Sequence, residues 1–103
     1  MTAKTARTAA ELPPRVAHAV HALLARLRDA SGGPLTAAEV CEYDSEALSV
    51  VSTGVALGHA RRYGLADSWP AGRAGRVWTA TRRAQDMRRD LEDRFLRDVP
   101  DDL

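Results

Sequence analysis

Apolar residues recur at helical spacing along the first third of the chain. Counted from the first, they fall at i, i+4, i+7, i+8 and i+11, which is the stripe of one helix face: Val16, Val20, Leu23, Leu24 and Leu27. This stripe predicts a helix over 14–30. Pro13 and Pro14 suit its first turn, because their missing N–H groups have no helical partner there. Ser-Gly-Gly-Pro at 31–34 is typical of its end.

Two shorter helices are predicted next from their capping residues. Thr36, with Glu39 three residues later, forms a capping-box pattern that predicts a helix over 37–43. Ser49 can cap the following helix, predicted over 50–63. The face of this second helix that is expected to meet the core carries Thr53, Ala56, Leu57 and Ala60.

The pattern then changes from helical to strand-like. A short strand, a turn with one Pro and two Gly over 70–75, and a return strand over 77–79 predict a hairpin over 66–80. Thr81 can cap a last helix over 82–98, which Pro closes off. The apolar stripe of that helix is narrow and consists of Ala84, Met87, Leu91 and Phe95.

Length and composition limit the class of protein. The 103 residues predict one domain over 13–98, between a disordered basic tail (1–12) and an acidic tail (99–103). No apolar run approaches the roughly 20 residues that span a bilayer. Because the chain begins without an apolar signal core and Cys41 is the lone cysteine, a cytoplasmic location is expected. Cys41 itself suits a small buried apolar role better than that of a redox sensor.

Charge is unevenly distributed along the chain. Residues 59–83 carry six Arg and one Asp, a net charge of +5, within a chain whose total is only +1. By contrast, residues 36–58 carry four acidic groups and no Lys or Arg. A basic segment of this kind often contacts a polyanion, although a solvated surface explains the charge alone equally well.

Three stretches carry a resemblance to a known family. "PLTAAEV" (34–40), "LS" (48–49) with a helix ending "ARRYGLA", and "GRVWTATRRA" (75–84) resemble the winged helix-turn-helix family of DNA-binding regulators. With a helix on each side of this module, the chain resembles the small single-domain MarR or PadR type. The resemblance implies a mainly α fold with a small antiparallel β-hairpin, double-stranded DNA as partner, and a homodimer.

The resemblance also implies a site. The helix at 50–63 would enter the major groove, and the wing at 66–80 would meet the backbone or the minor groove. Val51 and Val55 could then pack on thymine methyl groups. The residues expected to contact DNA are Ser49, Val51, Ser52, Val55, His59, Arg61, Arg62, Arg73 and Arg76.

One departure keeps an alternative open at this helix. Its first turns, "VVSTGVALGH", are apolar and hold two glycines, each of which costs about 1 kcal/mol relative to Ala in a helix interior. Close approach of another helix or of a phosphate backbone would explain these glycines. In the alternative interpretation Val50, Val51 and Val55 belong to the core, and the helix has no reading face.

The remaining candidates favour structural roles. His18 and His21 lie one turn apart, but no nearby Cys completes a metal site, so neither a metal nor another cofactor is expected. Trp69 and Trp78 are expected to pack on each other or on the helices. No catalytic constellation is evident, and the chain is not expected to be an enzyme.

The narrow stripe on the last helix suits one partner helix. Met87, Leu91 and Phe95 are therefore predicted at a dimer interface, with folding back onto the first helix as the alternative. The resemblance, taken with the basic segment and this stripe, implies a homodimeric transcriptional regulator that binds DNA sequence-specifically. A winged-helix protein-interaction module, and a plasmid or phage protein for DNA replication or transfer, are the alternatives. The target sequence and any small-molecule effector stay open.

Overall fold

Helix α1 (Pro14–Asp29) is the element on which the other helices and the sheet pack. The computed structural model describes residues 8–29, 33–44 and 46–98. In it the predicted stripe of α1 is buried throughout, and alanines between its members widen the buried face. The prediction of this helix and of its inward face is confirmed.

Residues 8–12, which the sequence places in a disordered tail, are structured and pack on the body of the protein. A 3₁₀ turn (Ala9–Glu11) is held by a capping box between Thr8 and Glu11. Ala9 and Leu12 are buried in the core, and the Arg94 guanidinium donates to both of their carbonyl oxygens. The predicted tails at 1–7 and 99–103 lie outside the described residues.

Both predicted short helices form, with caps as expected. In α2 (Ala37–Cys41) the Thr36 hydroxyl accepts from the Glu39 N–H at 3.2 Å, and the Glu39 carboxylate accepts from the Thr36 N–H at 2.9 Å. The Thr36 hydroxyl also donates to the Glu39 carboxylate at 3.1 Å. The hydrogen bonds that this carboxylate accepts, first from the Thr36 N–H and then from the Thr36 hydroxyl, lower the pKa of Glu39. Helix α3 (Val50–Arg62) starts from Ser49, whose hydroxyl accepts from the Ser52 N–H at 3.1 Å.

The sheet has one strand more than the sequence predicts. Strand β1 (Leu35–Thr36) pairs with β3 (Arg76–Ala80), which also pairs with β2 (Ala66–Pro70). All pairs are antiparallel, and the order β1-β3-β2 places β3 in the centre. The chain is therefore mainly helical with a small three-stranded antiparallel sheet.

The two tryptophans lie on opposite faces of this sheet. Trp69 is opposite Val77, whereas Trp78 is opposite Ser68, and successive residues of a strand point to opposite sides. Trp78 packs in the helix-facing core, as expected, while Trp69 is 43% exposed. Of the two arrangements expected, packing on the helices is confirmed for Trp78, whereas the register, which separates the two tryptophans by one residue, excludes their packing on each other.

The last predicted helix is divided at Met87 into α4 (Arg82–Asp86) and α5 (Arg88–Asp98). Helix α5 packs on α1, and Met87 and Leu91 are only 5% and 1% exposed within the single chain. This corrects their assignment to a dimer interface, since the fold-back alternative already covers both side chains. The side chain of Phe95 lies outside the described part of the chain. Within the described ranges, no helix has the length and apolar character needed to cross a bilayer.

Candidate nucleic-acid interface

Helix α3 presents an apolar stripe to solvent. Its buried residues are the four that the sequence predicts for the core side: Thr53, Ala56, Leu57 and Ala60. On the opposite side, Val51 is 77% exposed and Val55 is 57% exposed. The alternative in which these valines belong to the core is therefore excluded, and α3 has an outward face available for a partner.

Gly58 lies on this outward face, and no close contact with a described residue requires a glycine at this position. It follows Val51 by seven residues and Val55 by three, so the three positions share one side of the helix. A Cβ at position 58 would meet nothing within 4 Å, while one at Gly54 would lie 3.7 Å from the Ala37 Cβ, an ordinary contact. Neither glycine is therefore required by close approach of a described element.

The hairpin is anchored to the C-terminal end of α3 by Thr81. Its hydroxyl donates to the Gly64 carbonyl at 2.7 Å, and its N–H donates to the Leu65 carbonyl at 3.1 Å. The same hydroxyl accepts from the Ala84 N–H at 3.3 Å and so caps α4. These contacts fix where the hairpin leaves the body of the protein relative to α3.

The hairpin tip is built from glycines and carries exposed arginines. Gly72 and Gly75 adopt φ values of 59° and 81°, which L side chains rarely take, and a 3₁₀ turn (Gly72–Ala74) places Arg73 between them. Arg76 donates from Nη1 to the Ser68 hydroxyl at 2.9 Å across the two strands. This contact limits the directions that the exposed Arg76 side chain can take.

Arg76 also lies on the helix-facing side of the sheet. Positions 76, 78 and 80 of β3 share a face, and Trp78 and Ala80 on that face are buried in the core. Helix α3 packs on β2 of the same sheet. Arg76 therefore projects beyond the core on the same side of the sheet as the helices.

The predicted site residues are almost all at the surface. Ser52 is half-buried, and Ser49 is exposed but its hydroxyl is engaged as the cap of α3. The other seven are exposed: Val51, Val55, His59, Arg61, Arg62, Arg73 and Arg76. They occupy two connected elements, α3 and the hairpin. Ser68 was not predicted, because its contact with Arg76 depends on a strand register that the sequence does not indicate.

The charge beside this surface is mixed. Helix α2 packs on α3 and exposes Glu39, with Glu42 just after the helix. Glu42 forms an ion pair with Arg26 at 3.2 Å, and Arg26 also donates to the Glu39 carbonyl at 3.0 Å. The α2 side is therefore the acidic flank of α3, and the basic flank is formed by the end of α3 and the hairpin.

A concave feature lies between α1 and α5. This cleft, of about 240 Å³, is lined by apolar and charged groups: His21, Leu24, Ala25, Arg28, Asp29, Tyr43, Arg88 and Glu92. The His21 ring stands edge-on to Tyr43 with centroids 5.4 Å apart, and burial lowers the pKa of His21 despite the opposing Glu92 carboxylate. Burial likewise lowers the pKa of His18.

Metal-ligating and thiol chemistry have no assembled site in the described ranges. No group of three or more His, Cys, Asp or Glu residues there could hold a metal ion. Cys41 is buried, as predicted, and its thiol donates to the Leu48 carbonyl at 3.2 Å. Exposed arginines lie beside the outward face of α3, at the end of that helix and on the hairpin. The chain has no match among protein-family models, curated proteins or solved structures.

Proposed function

We propose that this protein is a winged helix-turn-helix protein that binds double-stranded DNA. Helix α3 would lie in the major groove and the hairpin would act as the wing. The observation that carries the proposal is the outward face of α3, exposed beside a hairpin whose position Thr81 fixes. The order α1, β1, α2, α3, β2, β3, with β3 in the centre of the sheet, supports this fold assignment.

Electrostatics supports a polyanion as the partner. Four exposed arginines lie at the end of α3 and on the hairpin: Arg61, Arg62, Arg73 and Arg76. If each neutralises one phosphate, the logarithm of the binding constant falls with the logarithm of salt concentration at a slope of about −3.6. Such contacts position a protein on the duplex, whereas residues facing the groove supply sequence preference.

Fluorescence anisotropy with a labelled random-sequence duplex at several salt concentrations tests this proposal. We expect Arg73→Ala and Arg76→Ala each to weaken binding and to reduce the salt slope by roughly one. Arg89→Ala is the matched control, because Arg89 is an exposed arginine on α5, which packs on α1 and the N-terminal turn. No binding by the unaltered protein at micromolar concentration in low salt would overturn the proposal.

Selection of bound duplexes from a random pool extends the test to regulation. An enriched sequence would support a sequence-specific transcriptional regulator, and a palindromic one would support a homodimer. Equal recovery of all sequences would instead favour general DNA handling, as in replication or transfer. A dimer would need a contact other than Met87 and Leu91, which are buried in their own chain.

A protein-interaction module is the second candidate, favoured by one observation. Val50, Val51 and Val55 are 48%, 77% and 57% exposed, which is a more apolar surface than a DNA-reading helix usually presents. The double variant Val51→Ser with Val55→Ser separates the two functions. Loss of a protein partner with DNA affinity unchanged would support the interaction module.

A further inference from the structure

The outward side of α3 offers few hydrogen-bonding groups in its first two turns. Val51, Val55 and Gly58 form its centre, the half-buried Ser52 lies at its edge, and Thr53 points into the core. The whole helix contains no Asn, Gln, Lys, Asp or Glu. Direct readout by bidentate amide or carboxylate contacts to base edges is therefore not available from this helix.

We infer that Val51 and Val55 recognise the C5-methyl groups of thymines in the major groove. This inference rests on the proposed DNA binding and adds the chemistry of its specificity. The thymine methyl is the apolar group that a base pair displays in the major groove, and aliphatic side chains are its natural contacts. Two exposed valines on a reading helix therefore match two methyl groups.

The spacing of the valines sets the spacing of the thymines. Residues four apart on a helix are separated by about 6 Å along its axis. Two base steps along one DNA strand cover about 6.8 Å. With α3 lying along the groove, Val51 and Val55 therefore select thymines two steps apart, with an unconstrained base between them.

Gly58 permits the approach that methyl contact requires. It continues the stripe of Val51 and Val55, and the space at its missing Cβ is open. Because no side chain projects from this position, the middle of α3 can come close to the DNA. The next member of the stripe, four residues later, is the exposed Arg62, which suits a phosphate at the groove edge.

Charge complementarity selects DNA over an apolar protein partner for this face. The apolar stripe ends in Arg62 and is followed by the hairpin arginines Arg73 and Arg76, all exposed. A groove that displays methyl groups beside a phosphate strand matches an apolar stripe that is cationic at its C-terminal end and on its hairpin flank. A hydrophobic partner helix would leave these guanidinium groups without complementary charge.

The test uses duplexes recovered by selection from the random pool. Each thymine is replaced in turn by deoxyuridine, which lacks only the C5-methyl group. We expect two positions, two steps apart, at which the replacement weakens binding by a factor of about four each. Val51→Ala should abolish the difference between thymine and uracil at one position, and Val55→Ala at the other.

Val50→Ala is the matched control, because Val50 belongs to the same helix and is 48% exposed but lies off the stripe. It should keep both thymine preferences. The valine-to-alanine changes favour the helix, so unchanged circular dichroism should confirm folding. Equal binding of thymine and uracil duplexes would overturn methyl recognition while leaving DNA binding intact. Failure to bind any duplex would overturn both proposals.

Discussion

Replacing Gly58 by Ala should stabilise the protein. The position lies inside α3 with helical backbone angles, and an added Cβ would have nothing within 4 Å. The change therefore removes the cost of an interior helical glycine without introducing a clash. We expect the free energy of unfolding to rise by about 0.8–1 kcal/mol. For a domain of this size the melting temperature should rise by roughly 4 °C or more.

Gly64→Ala provides the matched control for this prediction. A Cβ there also meets nothing within 4 Å, but the backbone has φ +79°, in the left-handed region. The same substitution should therefore destabilise the protein by about 1–2 kcal/mol. Urea unfolding followed by circular dichroism gives the free energy of unfolding of both variants. An unchanged m-value checks that unfolding remains two-state. Stabilities that change in the same direction would refute the assignment of these effects to backbone conformation.

Three further predictions concern the core, the histidines and the hairpin anchor. Leu91→Ala should lower the free energy of unfolding by about 2–5 kcal/mol at every protein concentration, because Leu91 is buried within one chain. A loss of stability that depends on protein concentration would instead point to a partner chain. Since burial lowers the pKa of His21 below 6.5, the unfolded state binds the proton more readily. The free energy of unfolding should therefore fall as the pH drops below 6.5, and it should fall less steeply in His21→Gln. Urea unfolding at several pH values measures this, and parallel pH profiles for the variant and the unaltered protein would contradict it. Thr81→Val should lower the free energy of unfolding by about 1–3 kcal/mol, because the variant loses both the helix cap and the hydrogen bond to Gly64. Thr81→Ser keeps the hydroxyl and should keep most of the stability. Equal losses in the two variants would show that the hydroxyl is not responsible.

Local signals predicted most of the helices and strands of this chain. The stripe that contains Leu23 and Leu27 is long enough to indicate both a helix and its buried face. Thr36, Ser49 and Thr81 form caps because a short hydroxyl side chain bonds to N–H groups only two or three residues away. Such interactions depend on neighbouring sequence alone.

Features that depend on distant residues were not predictable in the same way. Strand β1 has two residues and exists because Leu35 pairs with Trp78, far along the chain. Leu12 is buried because α5 packs over the N-terminal turn, where Arg94 caps its carbonyl. A two-residue strand and isolated apolar side chains carry no periodicity from which such contacts could be inferred.

The orientation of α3 was ambiguous for a different reason. Both sides of α3 carry small apolar residues and a glycine, so the two sides differ little in hydropathy. The sequence is therefore compatible with either side of the helix facing the core. Packing on α1 and α2 decides between them by burying Leu57 and leaving Val51 outside. Which residues of α3 face solvent is thus decided by tertiary packing, while the arginines of the hairpin are recognisable from composition.

The central position of β3 has a consequence for the order in which the protein is made. During synthesis β1 emerges early, but the strand that it pairs with begins only at Arg76. Until that segment has left the ribosome, Leu35 and Ala66 lack the neighbours that complete the sheet. The sheet is therefore expected to form only after β3 has been translated and has left the ribosome.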